Sequence, residues 1–587
     1  MDRVETPLIT AVISTRNRDS MLKWKEGMYP WLLWIALIFQ GLVFISTTAI
    51  WDGFDEPFHY AYIQHLAENG ALPVYGRTMI SKEMTRSFEL APLSNAFNSI
   101  LGGRYTTFAE YRRLTDESRR DRAQALRSIS KEDRTVADTQ YPISNYEAHQ
   151  TPLYYLIAVP VYRMCSSLDL PTRVFCLRLF SLLIGSLTLF AAYAAALRAF
   201  RGHWGPRTVI FILALMPMFI GTIARISNDA LAVPLGSVLV LLVIDYFVGT
   251  PNSGRAIQIG IVLGLGLLTK AYFLALLAAT IAIFAVAVCV ATDRKRLLRH
   301  LAMMVVLAAS ISFGWYARNY TLYGNFSGMQ ELTLTASLSI ADRLAMAARV
   351  PWLTAWHGMI KQHIWLGNMS LLELSRATYD FGYFVILLAS LGLCGRGISI
   401  LRRVLAKRAR TSSACLFNEG EVRAQDRTLA IAILFYAFFL LATAYHMWQN
   451  FILVQMPGGT GGYYLYAAIV PELILLVYGL QALPWGAAKM AQAITAGYVL
   501  VVNFIAYFCK TIPFYAGYSI QHFHLHHLIE LYSPSTFSLI LNGLALQQAS
   551  WIGPRTILVI LFCYLFWMIL VTWVFYSRRT VAREEGI

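Results

Sequence analysis

Asp55 and Glu56 are adjacent carboxylates, followed by Pro57 and His59, in the segment WDGFDEPFHYAYIQHL (51–66) directly after the first long apolar run. A carboxylate held against lipid loses part of its hydration, which raises its pKa and makes it a better general base. The same residues also read as a helix start. Asp55 would be the N-cap, Glu56 and Pro57 the first turn, and Phe58, Tyr62, Ile63 and Leu66 an interfacial face. Spacing alone leaves both readings open.

Two further groups carry chemistry. In SNYEAHQTPLYY (144–155), His149 and Gln150 precede a short apolar stretch that brings Tyr154 and Tyr155 to headgroup level, which is also what an aromatic belt looks like. The cations Arg178, Arg225, Lys270 and Arg318 stand at ends of apolar runs, and Lys270 interrupts GLGLLTKAYFLALLA (264–278). A lysine at that depth needs a partner, and a phosphate is a natural one. Snorkelling to the interface is the alternative for each cation taken singly. His522 and His526 have helical i, i+4 spacing, but no second ligand set accompanies them and no metal is assigned. The glycines of PGGTGGYY (457–464), ahead of Tyr463, precede an apolar run rather than a βαβ unit, so they read as a loop that orders around substrate and not as a nucleotide cradle.

The elements that must position these residues are membrane helices. The chain has 587 residues, 57% hydrophobic and 14% charged, with a mean hydropathy of +0.52. Soluble domains carry about 25% charged residues. Apolar runs of about 20 residues, the thickness of a bilayer core, recur from end to end. They fall near 30–50, 176–198, 207–224, 230–248, 256–269, 271–291, 300–318, 379–395, 428–446, 463–482, 489–509 and 555–577. The expected fold is therefore all-α and polytopic, with about 12 transmembrane helices. The first run is too long for a cleavable signal peptide and lacks a small-residue cleavage site, so it reads as a span.

With these spans, every strongly basic stretch, including DRKRLLRH (293–300) and RRVLAKRAR (402–410), falls on one side, and every long loop falls on the other. Basic loops stay in the cytoplasm, so both termini are expected there and the long loops outside. The net charge of +16 is thereby used for orientation; with no basic stripe on a polar domain, a nucleic-acid partner is excluded. The expected divisions are a cytoplasmic N-terminus (1–29), a catalytic membrane module (30–325) with its outer loop (51–175), a second outer loop (326–378), C-terminal spans (379–577) with an outer loop (510–554), and a cytoplasmic tail (578–587). The stretch 151–165, broken by Pro160, reads as an interfacial helix. Of the seven cysteines, Cys165 and Cys176 alone are near enough in sequence, on the outer side, to suggest a disulfide.

Taken in order, these segments resemble the GT-C superfamily of membrane glycosyltransferases, in particular the branch of protein O-mannosyltransferases and bacterial aminoarabinose transferases. The likeness is carried by FDEPFH (54–59), HQTPLYY (149–155), SNDAL (227–231), LLTK (267–270) and WYARNY (315–320), and covers roughly residues 30–325. One departure is that Gly461 and Gly462 stand before Tyr463, where relatives often place a cation.

The resemblance implies a GT-C-like fold and an inverting transfer of sugar from a polyprenyl-phosphate donor to an acceptor hydroxyl on the outer face of a bacterial inner membrane. The acceptor would be a glycan, lipid or protein. Asp55 would be the base, with Glu56 orienting acceptor or binding a divalent cation such as Mg or Mn. Lys270, Arg225, Arg318 and Arg178 would hold the phosphate, and His59, His149, Gln150, Tyr154 and Tyr463 would line the substrate site. Competing readings are a polysaccharide polymerase or ligase acting on lipid-linked glycans and a transporter or lipid flippase. Transporters place ionisable residues at the centres of spans, which here are almost free of charge.

Overall fold

The computed structural model describes residues 6–410, 424–456, 460–484, 486–518 and 525–577. His522 and Pro457 to Gly459 lie outside the described residues.

The fold is all-α: among the described residues the only β pairing is three isolated bridges, Met79 with Ser144, Ser81 with Ala137 and Leu93 with Thr107. They tie together the long segment that follows the first span. Among the described residues ten helices are long and apolar enough to cross a membrane, including Gly27–Thr47, Leu170–Ala199, Asp229–Val248, Arg294–Tyr323 and Ala424–Val454. Two of the expected spans are not regular. The run expected at 207–224 is a broken pair, Trp204–Leu215 and Pro217–Ile223, bent by 64°. Pro217 opens the second half, where its missing N–H costs nothing. The run expected at 256–269 is the 15-residue helix Ser253–Leu267, about 22 Å long and short of a bilayer core.

The expected stretch 151–165 is the helix Leu153–Met164, which keeps Pro160 inside it. Cys165 and Cys176 are free thiols, so the suggested disulfide is absent. Alternation of apolar faces produces one large buried core through the span helices and a second beneath the loop, around Trp51, Tyr60, Phe88 and Tyr155. Close approach fixes the helix that carries Asp229. A Cβ on Gly236 would lie 2.5 Å from the Ala467 carbonyl, so the glycine lets Asp229–Val248 pack directly on the 3-10 turn Gly462–Ala468.

Candidate functional site

The first span ends in a tight turn. Glu56 N donates to the Gly53 carbonyl (3.2 Å), and Asp55 then sits in the left-handed region at φ 58° as the N-cap of helix Glu56–Asn69. Aspartate is one of the few residues that visits this region readily. The turn sends the two neighbouring carboxylates in different directions.

Glu56 is fully buried and closes on Arg178 through two bonds, Nε to Oε1 at 2.7 Å and Nη2 to Oε2 at 2.6 Å. Arg178 also donates to the carbonyls of Thr48 (3.0 Å) and Ala49 (2.9 Å), so every one of its nitrogens is committed inside the protein. Glu56 additionally accepts from Ile226 N (3.2 Å). This pair fastens the end of the first span to helix Leu170–Ser186. Four of the five Arg178 N–H donors and both Glu56 oxygens are thus engaged inside the protein.

Asp55 is different. It is half-buried, and among the described residues no hydrogen bond or ion pair ends on its carboxylate. Burial raises its pKa; the facing cations Arg225 and Lys270 pull in the opposite direction.

Those two cations meet on one carboxylate that the sequence reading did not single out. Asp229 opens the helix Asp229–Val248 and accepts from Lys270 Nζ (2.6 Å) and Tyr272 OH (3.3 Å) on Oδ1, and from Arg225 Nη2 (3.2 Å) and Ser227 Oγ (3.1 Å) on Oδ2. Arg225 is 1% exposed, yet among the described residues its Nε and Nη1 have no hydrogen-bond partner. Its guanidinium lies 4.2 Å from the Tyr463 ring, and Tyr463 stacks on Phe54 at 5.3 Å, next to Asp55. Lys270 stands between the rings of Tyr272 (5.4 Å) and Tyr464 (5.1 Å). The signal for Asp229 was present in the sequence: an aspartate four residues after Arg225, opening an apolar run, requires a cation.

The other end of the loop closes over this cluster. Gln150 Oε1 accepts from Asn228 Nδ2 (3.0 Å), which anchors the HQTP segment beside Asp229. His59 Nδ1 lies 2.8 Å from Tyr155 OH, and burial holds its pKa well below the usual histidine value. His149 Nδ1 lies 3.0 Å from the Tyr146 carbonyl, and burial lowers its pKa as well. Glu147, also missed, is buried, and among the described residues its Oε2 has no hydrogen-bond partner; burial first, and then the nearby Asp55 carboxylate, push its pKa well above the usual carboxylate range.

Two expected residues stand apart from this cluster. Tyr154 OH is bonded to Ser181 Oγ (2.7 Å) in the core below. Arg318 donates to the Pro73 carbonyl (2.8 Å) and lies over Trp315 at 4.8 Å, and among the described residues it makes no hydrogen bond or ion pair with Asp229 or Asp55. The position before Tyr463 cannot carry a cation, because a Cβ on Gly462 would lie 2.1 Å from the Met359 carbonyl and 2.5 Å from His363 N. Among the described residues no group of three or more His, Cys, Asp or Glu side chains is arranged to hold a metal ion.

Among solved structures, the chain is similar to ArnT from Cupriavidus metallidurans bound to undecaprenyl phosphate, at 14% identity over 95% of this chain and 78% of that one, with a TM-score of 0.42. It is also similar to the Archaeoglobus fulgidus oligosaccharyltransferase in complex with zinc and sulfate, at 13% identity over 80% of this chain and 53% of that one, with a TM-score of 0.40. It thus spans about half the length of that archaeal protein. No curated protein sequence matches the chain. The sequence family is decided by a profile match over residues 37–390, a stretch that contains Asp55, Glu147, Arg225, Asp229, Lys270 and Arg318: the chain belongs to the predicted membrane protein family DUF2142.

Proposed function

We propose that this protein is an inverting glycosyltransferase that moves a sugar from a polyprenyl-phosphate donor to an acceptor hydroxyl, at the membrane face on which Asp55 lies. The observation that carries the reading is the Asp55 carboxylate, left without a partner beside the Arg225–Asp229–Lys270 cluster. A base and a phosphate site stand next to each other, which is what this transfer requires.

The donor phosphate takes the unpartnered Nε and Nη1 of Arg225 and shares Lys270 with Asp229. Asp229 keeps the two cations in place while the site is empty. Tyr463, stacked on Phe54 and against Arg225, forms the wall on which the sugar lies. Behind the turn Gly462–Ala468 an apolar cavity of about 420 Å³, lined by Met216, Ile364, Leu465 and Val499 among others, offers space between helices for the polyprenyl chain.

Asp55 accepts the proton of the acceptor hydroxyl. The freed oxygen forms a bond to the anomeric carbon from the face opposite the phosphate, and the bond from that carbon to the phosphate oxygen breaks. Polyprenyl phosphate leaves with the electron pair, and the configuration inverts. A phosphate ester is a good leaving group, so little general-acid help is needed. Glu56 and Arg178 act by fixing the turn that presents Asp55.

The test uses the purified full chain in lipid nanodiscs with a set of polyprenyl-phosphate sugars. Release of polyprenyl phosphate by the wild-type protein, lost in Asp55→Asn, is the expected result. Equal release by both would overturn the role of Asp55, and movement of lipid or solute by Asp55→Asn at the wild-type rate would favour a transporter.

A further inference from the structure

The long segment after the first span carries a polar cavity of about 310 Å³ that the proposed transfer does not use. All of its lining residues fall between the spans Gly27–Thr47 and Leu170–Ala199, so it lies on the same side of the membrane as Asp55.

Three pieces of local structure build it. Ala61, Gln64, His65 and Asn69 recur at helical spacing along one face of Glu56–Asn69, which stops at Gly70 with φ 66°. The chain then turns at 74–78. Gly76 takes φ 77°, Thr78 N donates to the Val74 carbonyl (2.9 Å), and Val74 N donates to Thr78 Oγ1 (2.9 Å). That closed turn brings Arg77 and Thr78 to the rim, and the bridge between Ser81 and Ala137 forms the remaining side. The same turn sets Tyr75 edge-on to His149, with ring centroids 5.9 Å apart, so it borders both this cavity and the proposed transfer site.

The floor is a buried charge network with an unused donor. Arg173 closes on both oxygens of Glu83, Nη1 to Oε2 at 3.2 Å and Nη2 to Oε1, and Gln64 Nε2 also donates to Oε2 (2.6 Å). Arg134 comes second to the same carboxylate, with Nε 3.3 Å from Oε1, and its Nη1 donates to the Ser166 carbonyl (2.7 Å). Arg134 is 8% exposed and lines the cavity, and among the described residues its Nη2 has no hydrogen-bond partner. At the rim, the guanidinium of the exposed Arg77 makes no hydrogen bond or ion pair among the described residues. No Asp or Glu stands among the residues that line the cavity. A buried cationic donor without an acceptor is costly, and an anion is the partner that satisfies it best.

We infer that this cavity holds one acidic sugar unit, a single ring that bears a carboxylate or a phosphate. The anionic group lies on Arg134 Nη2, and the long side chain of Arg77 folds over it. Ring hydroxyls meet Asn69 and Thr78, and the C–H face of the ring packs on Met79 and Val136. Ligand pockets run from about 300 to 1,000 Å³, so a cavity at the lower bound suits one ring rather than a chain of them. This binding needs no transfer chemistry and stands whether or not the proposed reaction holds.

The experiment is saturation-transfer difference NMR on the full chain in lipid nanodiscs, titrated with glucuronate, glucose 6-phosphate, glucose or inorganic phosphate. An acidic sugar should bind saturably, with glucose at least about tenfold weaker; the tighter of the two acidic sugars identifies the anion. Arg77→Gln, at an exposed position, should weaken that sugar about tenfold while the thermal transition is kept. Arg134→Gln should abolish its binding, and if that variant fails to fold, Arg77→Gln decides alone. Glucose or inorganic phosphate binding as tightly as the acidic sugars, wild-type affinity in Arg77→Gln, or no saturable binding of either acidic sugar would overturn the inference.

Discussion

Glu56 and Arg178 meet in a two-point ion pair with neither side chain more than 1% exposed, while Asp55, one residue earlier, has no partner among the described residues. Adjacent carboxylates thus differ: one builds the turn and the other stands open for the proposed base role. Removing one member of a buried pair leaves the other charged and uncompensated, at a cost of about 3–5 kcal/mol. Glu56→Gln should therefore lower the thermal transition in detergent and the yield of folded protein. Glu56→Gln/Arg178→Met should recover part of that loss, since it removes both charges. If the single variant melts with wild type, the pair does not hold the turn.

Asp55→Asn should behave in the opposite way. Asparagine tolerates the left-handed conformation that Asp55 adopts, so the fold should be kept. Loss of a general base costs about 10²–10⁴-fold in rate, and sugar transfer should fall by that amount with an unchanged melting curve. Asp55→Ala adds backbone strain of roughly 1–2 kcal/mol and should melt earlier than Asp55→Asn at the same low activity. A transfer rate within a few-fold of wild type for Asp55→Asn would remove Asp55 from the mechanism.

Much of this site was legible in the sequence for reasons that have limits. Hydropathy marks helices well because a bilayer core imposes a length, and the helices at all the expected runs follow from that. It does not report bending, so the break at Pro217 and the shortness of Ser253–Leu267 were not foreseen. Candidate chemistry was visible as charges in apolar surroundings, which found Asp55, Arg225 and Lys270. Pairing between distant charges was not visible. Arg178 looked as available as Arg225 until Glu56, 122 residues away, was seen to occupy it. Asp229 was not singled out, and here it joins Lys270 and Arg225.

The cations should also govern the pH at which the base works. In the proposed reaction Asp55 functions ionised, and Arg225 and Lys270 lower a pKa that burial raises. Lys270→Gln removes one of those cations, which raises the pKa of Asp55 further. The acid limb of the residual transfer activity should move to higher pH. Arg318→Gln, whose guanidinium is bound to the Pro73 carbonyl, should leave that limb in place. A limb that stays put or moves down in Lys270→Gln would separate Lys270 from Asp55.

Asp52 supplies a second pH dependence, in stability rather than rate. Its carboxylate accepts from Tyr515 OH and from Ser370 Oγ (2.9 Å), and its carbonyl accepts from Met369 N (2.9 Å). Three segments distant in sequence are thus joined on one buried acid. Burial is the largest influence and pushes its pKa from 3.8 up to about 7, against the hydrogen bonds from Tyr515 and Ser370. Between those two values the folded protein binds the proton and the unfolded chain does not. Stability must then fall as pH rises through that window and level off above it. The full effect is about 4 kcal/mol at most, at roughly 1.4 kcal/mol per pKa unit. Differential scanning fluorimetry of the wild-type protein from pH 5 to pH 8 should show a declining transition temperature, and Asp52→Asn, which cannot ionise, should show a flatter one. Parallel slopes for the two proteins would mean that Asp52 is not the acid responsible.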